Sequence, residues 1–300
     1  MQTAAFRQPV PASLRSPLRS SMSASMSAQA RQFIFTITTG RSGTQFLTQL
    51  LSANLADAEV HHEQRAHKDW GVNCPDVSHL TTFNQVGNTG YVRAFWQQKL
   101  ARIAATPSRY FAETSHTLAK AGLVENLDAL QGAGTVHLVY LKRDIADTAI
   151  SLAHRADFCT KGNMWLWYLA PNYANLMMDP RPLIEFGQIG LAIWYVVEMR
   201  ARAEYYRLLV AGQSHIRFHE FDMERTTDRT GAAELLNALG TDVAPEQVHL
   251  PGKVNANVVG AGLAASEKEL IREIVADCRF DAAEVARSWH RQGRALGPLL

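Results

Sequence analysis

The stretch Phe33-Ile34-Phe35-Thr36-Ile37-Thr38-Thr39-Gly40-Arg41-Ser42-Gly43-Thr44-Gln45-Phe46-Leu47 restricts this chain more than any other. Phe33, Phe35 and Ile37 alternate with Ile34 and Thr36, which suits a strand buried on both faces, as a parallel sheet requires. Gly40 and Gly43 then free the backbone, and Phe46, Leu47, Leu50 and Leu51 fall at helical spacing. A strand, a glycine-rich turn and a helix in that order leave the amides of Ser42 to Gln45 pointing outward at a helix N-terminus. Partial positive charge collects an anion there, and Arg41 adds a full charge.

The later segments repeat the alternation. A second strand is expected around Ala58 to His61, followed by the polar run His61-His62-Glu63-Gln64-Arg65-Ala66-His67-Lys68. Residues 70–90, rich in Gly, Asn and Thr, read as a long loop, and Val92 to Ala105 as a helix stopped by Pro107. Tyr110-Phe111-Ala112-Glu113 reads as a third strand that brings Glu113, Thr114, Ser115 and His116 to the same sheet edge, with a helix from about Leu118 to Leu130. Strands alternating with helices imply a central parallel sheet with helices on both faces, a three-layer α/β fold whose ligands bind at the carboxyl ends of the strands.

The second informative stretch runs from Val136 to Leu152, again a strand entering a helix. Arg143 stands at the strand end and Ser151 two helical turns later, so both can face one anion. A guanidinium fork with a hydroxyl donor is what a phosphate monoester needs. The first loop is not the G-x-x-x-x-G-K-[ST] phosphate loop, whose Lys reaches the outer phosphates and whose hydroxyl holds magnesium, because here the cation precedes the second glycine.

Gly40-Arg41-Ser42-Gly43-Thr44 instead resembles the 5′-phosphosulfate loop of the sulfotransferases that use 3′-phosphoadenosine 5′-phosphosulfate (PAPS). Arg143 to Ser151 resembles their 3′-phosphate motif R-x-P-x-D-x-x-x-S, with Asp147 in its family position and Ile145 in place of the usual Pro. The two motifs follow strands in the right order, 102 positions apart, and the resemblance covers roughly residues 33–260. It implies a P-loop-type fold and transfer of a sulfuryl group to a hydroxyl or amine, without a metal. Arg41, Ser42, Gly43, Thr44 and Gln45 would cradle the 5′-phosphosulfate, with Arg41 on the bridging oxygen. Arg143 and Ser151 would hold the 3′-phosphate, and Lys253, in Pro251-Gly252-Lys253-Val254-Asn255, would close over it.

A general base is needed at the second strand's end. Glu63, 22 residues after Arg41, matches the loop-to-Glu separation of carbohydrate and tyrosine sulfotransferases, and His62 is its rival. In a continuing strand His61 and Glu63 share one face and His62 the other, so one register cannot present both His62 and Glu63. Glu113 and His116 are further candidates from the third strand. The resemblance extends to Trp194-Tyr195 and Glu198 to Arg207 in a long amphipathic helix and to a late strand, Ile216 to Asp222. Phe158 to Pro182, where Trp165, Trp167, Tyr168, Tyr173, Met177 and Met178 are scattered among Gly, Asn and Pro, reads as a flap over the acceptor or an excursion covering the core. Beyond the last strand, Ala232 to Leu239, Ala264 to Cys278 and Asp281 to Trp289 read as helices. A P-loop nucleotide kinase would need a Lys and a metal-binding hydroxyl that the first loop lacks; a non-catalytic nucleotide-binding protein would not need the acidic and imidazole groups near the transfer point.

Composition narrows the partners. A net charge of +2 and the lack of basic runs interleaved with aromatics argue against nucleic acid. Cys74, Cys159 and Cys278 are too few and too far apart for a disulfide framework or a zinc site. The longest apolar run, Ile189 to Val197 with one Gly inside, is far below the ~20 residues that span a bilayer, so no membrane is expected. The acceptor is then a small molecule or a carbohydrate. Residues 1–32 hold four Arg, three Pro, many Ser and Ala and no acid, and read as a disordered or targeting leader to a domain over 33–300. The protein is accordingly expected in the cytoplasm, or in an organelle if the leader is a transit peptide.

Overall fold

The computed structural model describes residues 30–64, 70–159, 164–252 and 262–296. Lys253 and most of the leader lie outside the described residues. Strand β1 (Gln32–Ile37) runs into helix α1 (Thr44–Asn54). Because β1 is apolar on both sides it takes the central place: Phe33, Phe35 and Ile37 enter one core and Ile34 the other. Four more strands, β2 (Ala58–His62), β3 (Tyr110–Thr114), β4 (Thr135–Lys142) and β5 (Ile216–Asp222), pair in parallel in the order β2-β3-β1-β4-β5. From β1 the chain moves to one side, then returns to add β4 and β5 on the other. That reversal opens a crevice at the carboxyl ends of β1 and β4.

The remaining helices are α2 (Val77–Val86), α3 (Gly90–Ala104), α4 (Ile145–His154), α5 (Arg181–Ile184), α6 (Gly187–Val210), α7 (Met223–Thr226), α8 (Arg229–Ala238), α9 (Ala265–Asp277) and α10 (Ala282–Arg291). One face of the sheet meets Phe83, Trp96, Tyr206 and Trp289 from α2, α3, α6 and α10. The opposite face meets Leu47, Leu50, Leu235 and Leu236 from α1 and α8. The result is the expected three-layer α/β architecture with a parallel sheet between helices. Among the described residues no helix is long and apolar enough to cross a membrane.

Three local expectations are corrected. Residues 70–90 are not a long loop: Asp76 caps α2 by accepting from the His79 amide while the His79 ring returns the bond, and Leu80 and Phe83 bury the helix. The helix expected over Leu118 to Leu130 is two 3₁₀ segments, Ala119–Ala121 and Val124–Leu130. They are split at Gly122, whose φ of 92° no helix tolerates, and a Cβ there would lie 2.9 Å from the Phe83 ring. Helix α6 is not amphipathic; it is buried almost all round, and its polar residues Glu198 and Arg202 are inside, paired at 2.7 Å. Of the two readings of 158–182, the described residues support the excursion that covers the core: Tyr168, Leu169 and Met177 are buried and Phe158 lies against the Tyr168 and Tyr195 rings. The amides of Met177 and Met178 both donate to Glu198 on α6, at 3.0 and 2.7 Å, and this pins the segment.

Candidate active site

At the end of β1 the backbone turns left-handed at Gly40 (φ 76°), Arg41 (φ 56°) and Gly43 (φ 91°). The turn is braced from within, since the Gly40 amide donates to Thr38 Oγ1 at 2.9 Å and the Thr38 and Ser42 hydroxyls share a hydrogen bond. Gly43 caps α1 without a side-chain hydrogen bond, so no side chain of the cap satisfies the amides of the first turn. A helix N-terminus of this kind favours an anion. A larger residue at Gly43 would be strained by its φ of 91°, and its Cβ would stand 2.2 Å from Met223 Sδ, so that side chain would also have to move.

A cavity of about 970 Å³ opens over this turn. Of the anticipated anion ligands, Arg41, Gly43, Thr44, Gln45, Arg143 and Ser151 line it. Ser42 does not; it is buried beneath the loop with its hydroxyl on Thr38. The two motifs touch directly. Arg41 Nε donates to Ser151 Oγ at 3.1 Å, and Arg143 Nη1 donates to the Arg41 carbonyl at 3.1 Å. Arg143 is itself held from both ends, by Arg200, which donates to its carbonyl at 2.5 Å, and by Glu224, 3.8 Å from its Nε.

Arg155 is a third guanidinium that the sequence reading missed. It lies one turn beyond Ser151, at the end of α4, and lines the same cavity. The signal was present, because residues four apart on a helix share a face. Asp157, nearly inaccessible, stands 3.5 Å from Arg155, and burial pushes its carboxyl above the usual range. Burial first, and then the positive charge of Arg155, hold the Arg41 guanidinium below its ordinary pKa. Crowded like charges of this kind favour a ligand carrying several negative charges.

His62, Glu63 and His116 line the same cavity as Arg41, with His116 packed against Gly40. Presenting both His62 and Glu63 contradicts the strand-alternation expectation, and the reason is a single dihedral. Glu63 has φ 48°, so the strand ends at His62 and the next side chain swings to the same side. The Glu63 amide still donates to the Thr114 carbonyl at 3.0 Å, which holds the kink. His62 Nδ1 lies 3.1 Å from the same carbonyl and 3.2 Å from the Thr114 hydroxyl, and a hydrogen bond to the carbonyl places a proton on Nδ1, with Nε2 directed elsewhere. His61 points to the other face, bonded to Glu59 at 2.7 Å and packed on Phe111. Glu113 is withdrawn as a base: it is fully buried, 2.6 Å from Lys99, and accepts from the Gln64 amide. His116 is in place, its Nε2 3.4 Å from Glu63 Oε1 and its ring stacked near Tyr168. Burial, and then Lys120, lower its pKa well below the ordinary imidazole value.

Residues 31–179 match the family model described as the sulfotransferase domain. Among solved structures, the sulfotransferase domain from the Synechococcus PCC 7002 olefin synthase is similar at a TM-score of 0.43 and 12% identity, over 87% of this chain and 95% of that one. The sulfotransferase from Alicyclobacillus acidocaldarius is similar at a TM-score of 0.42 and 14% identity, over 89% of this chain and 97% of that one. No curated protein matches the chain by sequence.

Proposed function

This chain belongs to the sulfotransferase family, and we propose that it transfers a sulfuryl group from PAPS to a hydroxyl or amine of an acceptor. The observation that carries the donor assignment is the convergence of Arg41, Arg143, Arg155 and Ser151 on one cavity above the turn at Gly40–Gly43. PAPS bears negative charge at both its phosphosulfate and its 3′-phosphate, and this cluster of guanidiniums with a helix N-terminus suits that pair. Arg41, Gly43, Thr44 and Gln45 hold the 5′ end, with the backbone of Ser42 completing the turn. Arg143 and Ser151 hold the 3′ end and distinguish PAPS from ATP.

In the reaction the acceptor oxygen forms a bond to sulfur while the bridging sulfur–oxygen bond breaks, and its electron pair stays on the phosphate. Arg41 meets the charge that grows on that leaving oxygen. Glu63 takes the acceptor proton, with His62 Nε2 as the alternative on the same wall. Tyr168 forms a hydrophobic part of that wall.

Calorimetry with 3′-phosphoadenosine 5′-phosphate tests the donor assignment. Wild type should bind it far better than 5′-AMP, and Arg143→Ala should erase about 1.5–3 kcal/mol of that preference, a tenfold to hundredfold loss. Equal affinity for both nucleotides would refute it. Turnover with labelled PAPS and a panel of hydroxyl and amine acceptors identifies the acceptor class.

A further inference from the structure

Behind His116 lies a buried amine that the transfer reaction, as described, does not use. Lys120 has no solvent exposure, and its Nζ lies 2.9 Å from His116 Nδ1, 2.6 Å from the Trp167 carbonyl and 2.9 Å from Tyr195 Oη. Among the described residues no carboxylate forms an ion pair with it; Glu63 stands on the far side of the imidazole.

With Nζ as an ammonium, counting donors sets the direction of these bonds. The Trp167 carbonyl only accepts. The Tyr195 hydroxyl gives its one proton to the Thr39 carbonyl, 2.8 Å away, and so accepts from Lys120. An ammonium has three protons, and the third goes to His116 Nδ1. The faces of the Tyr168 and Tyr195 rings, 4.9 and 5.1 Å from Nζ, favour the same charged form. Burial, the largest influence, lowers the Lys120 pKa well below the ordinary lysine value, while Glu63 and Asp157 favour the charge. If Nδ1 accepts, the proton of a neutral imidazole is on Nε2, the atom that faces Glu63 Oε1.

We propose that Lys120 is a positioning residue: it locks His116 in the Nε2–H tautomer, so that His116 steers the Glu63 carboxylate as a donor and is not itself the base. The assignment rests on the reading of Glu63 as the base of sulfuryl transfer. It also joins the base to the donor site, because Tyr195 links Lys120 to Thr39, the residue before the Gly40 turn. The device resembles in logic a carboxylate that fixes a catalytic histidine's tautomer, with a cation in place of the anion and the opposite nitrogen protonated.

Two measurements test it. Nitrogen NMR of the intact, ligand-free protein labelled at histidine should show His116 Nε2 protonated and Nδ1 bare near neutral pH. The Lys120→Met variant should lose that preference, and a protonated Nδ1 in wild type would overturn the proposal whatever the activity. Turnover at saturating donor then separates donor from base. A glutamine amide at this position can donate toward Glu63 and accept from Lys120, so His116→Gln should stay within about fivefold of wild-type kcat, whereas His116→Leu and Lys120→Met fall about tenfold to hundredfold with donor KM little changed. If His116→Gln is as inactive as His116→Leu, His116 is the base and the proposal fails. Lack of PAPS turnover by wild type with every acceptor would refute the functional reading while leaving the tautomer result standing.

Discussion

Replacing Arg41 distinguishes an anchor from a transition-state ligand. Because the charge it meets grows only as the sulfur–oxygen bond breaks, Arg41→Ala should lower kcat by about 10²–10³-fold and change donor affinity less. Single-turnover and equilibrium-binding measurements separate the two, and a loss confined to affinity would make Arg41 an anchor. A second residue, away from the site, carries a pH prediction. Both Glu125 oxygens are shielded from water, and burial raises its carboxyl to about 7. The folded state therefore keeps a proton that the unfolded chain has released, so stability is full below pH about 4.5 and falls as pH rises to about 7. Glu125→Gln should remove that decline and be more stable than wild type at pH 8, by on the order of 1–3 kcal/mol, in denaturant titrations. Residues such as Arg41, Arg143 and Ser151 were legible because residue type and spacing define an anion site. The neighbourhoods of Glu63 and Lys120 were not, because a left-handed φ at a strand exit and a three-acceptor pocket are set by tertiary contacts with Thr114, Trp167 and Tyr195.

Among the elements, α3 and β3 are tied by one buried ion pair, Lys99 with Glu113, and Lys99 also donates to the Gln64 side chain and to the Asn73 carbonyl. Removing one partner strands the other charge out of water. Lys99→Met should thus cost about 3–5 kcal/mol of unfolding free energy, and the double variant Lys99→Met/Glu113→Gln should recover part of it. A double variant no more stable than Lys99→Met would show that the amine's carbonyl and amide contacts matter more than the charge pair. At this scale the strands were easier to read than the helices. Alternating apolar residues in β1 and β4 leave little choice of element, whereas α2 hides its Asp76 cap among Thr and Asn residues that equally suit a loop. The even burial of α6 removes the periodic signal by which a surface helix is recognised.

For the molecule as a whole, the strand–helix alternation sufficed to anticipate a parallel sheet between helices; the order of the strands came only from the structure, since pairing across the sheet is written in no single segment. That order puts the turn after β1 and the start of α4 side by side, bonded through Arg41, Arg143 and Ser151 although they are 102 to 110 residues apart. In the proposed donor site neither stretch would hold the nucleotide by itself. During synthesis the amino-terminal loop would then emerge before its partner is made, and the chain would stay blind to the proposed donor until β4 has zipped beside β1 and α4 has docked. Ribosome-arrested chains of increasing length, passed over immobilised 3′-phosphoadenosine 5′-phosphate, should go from unretained to retained in a single step rather than gradually. Retention of chains that stop before β4 would show that the loop recognises the nucleotide unaided. Nucleotide capture would then serve as a quality mark, present only on chains that have finished folding.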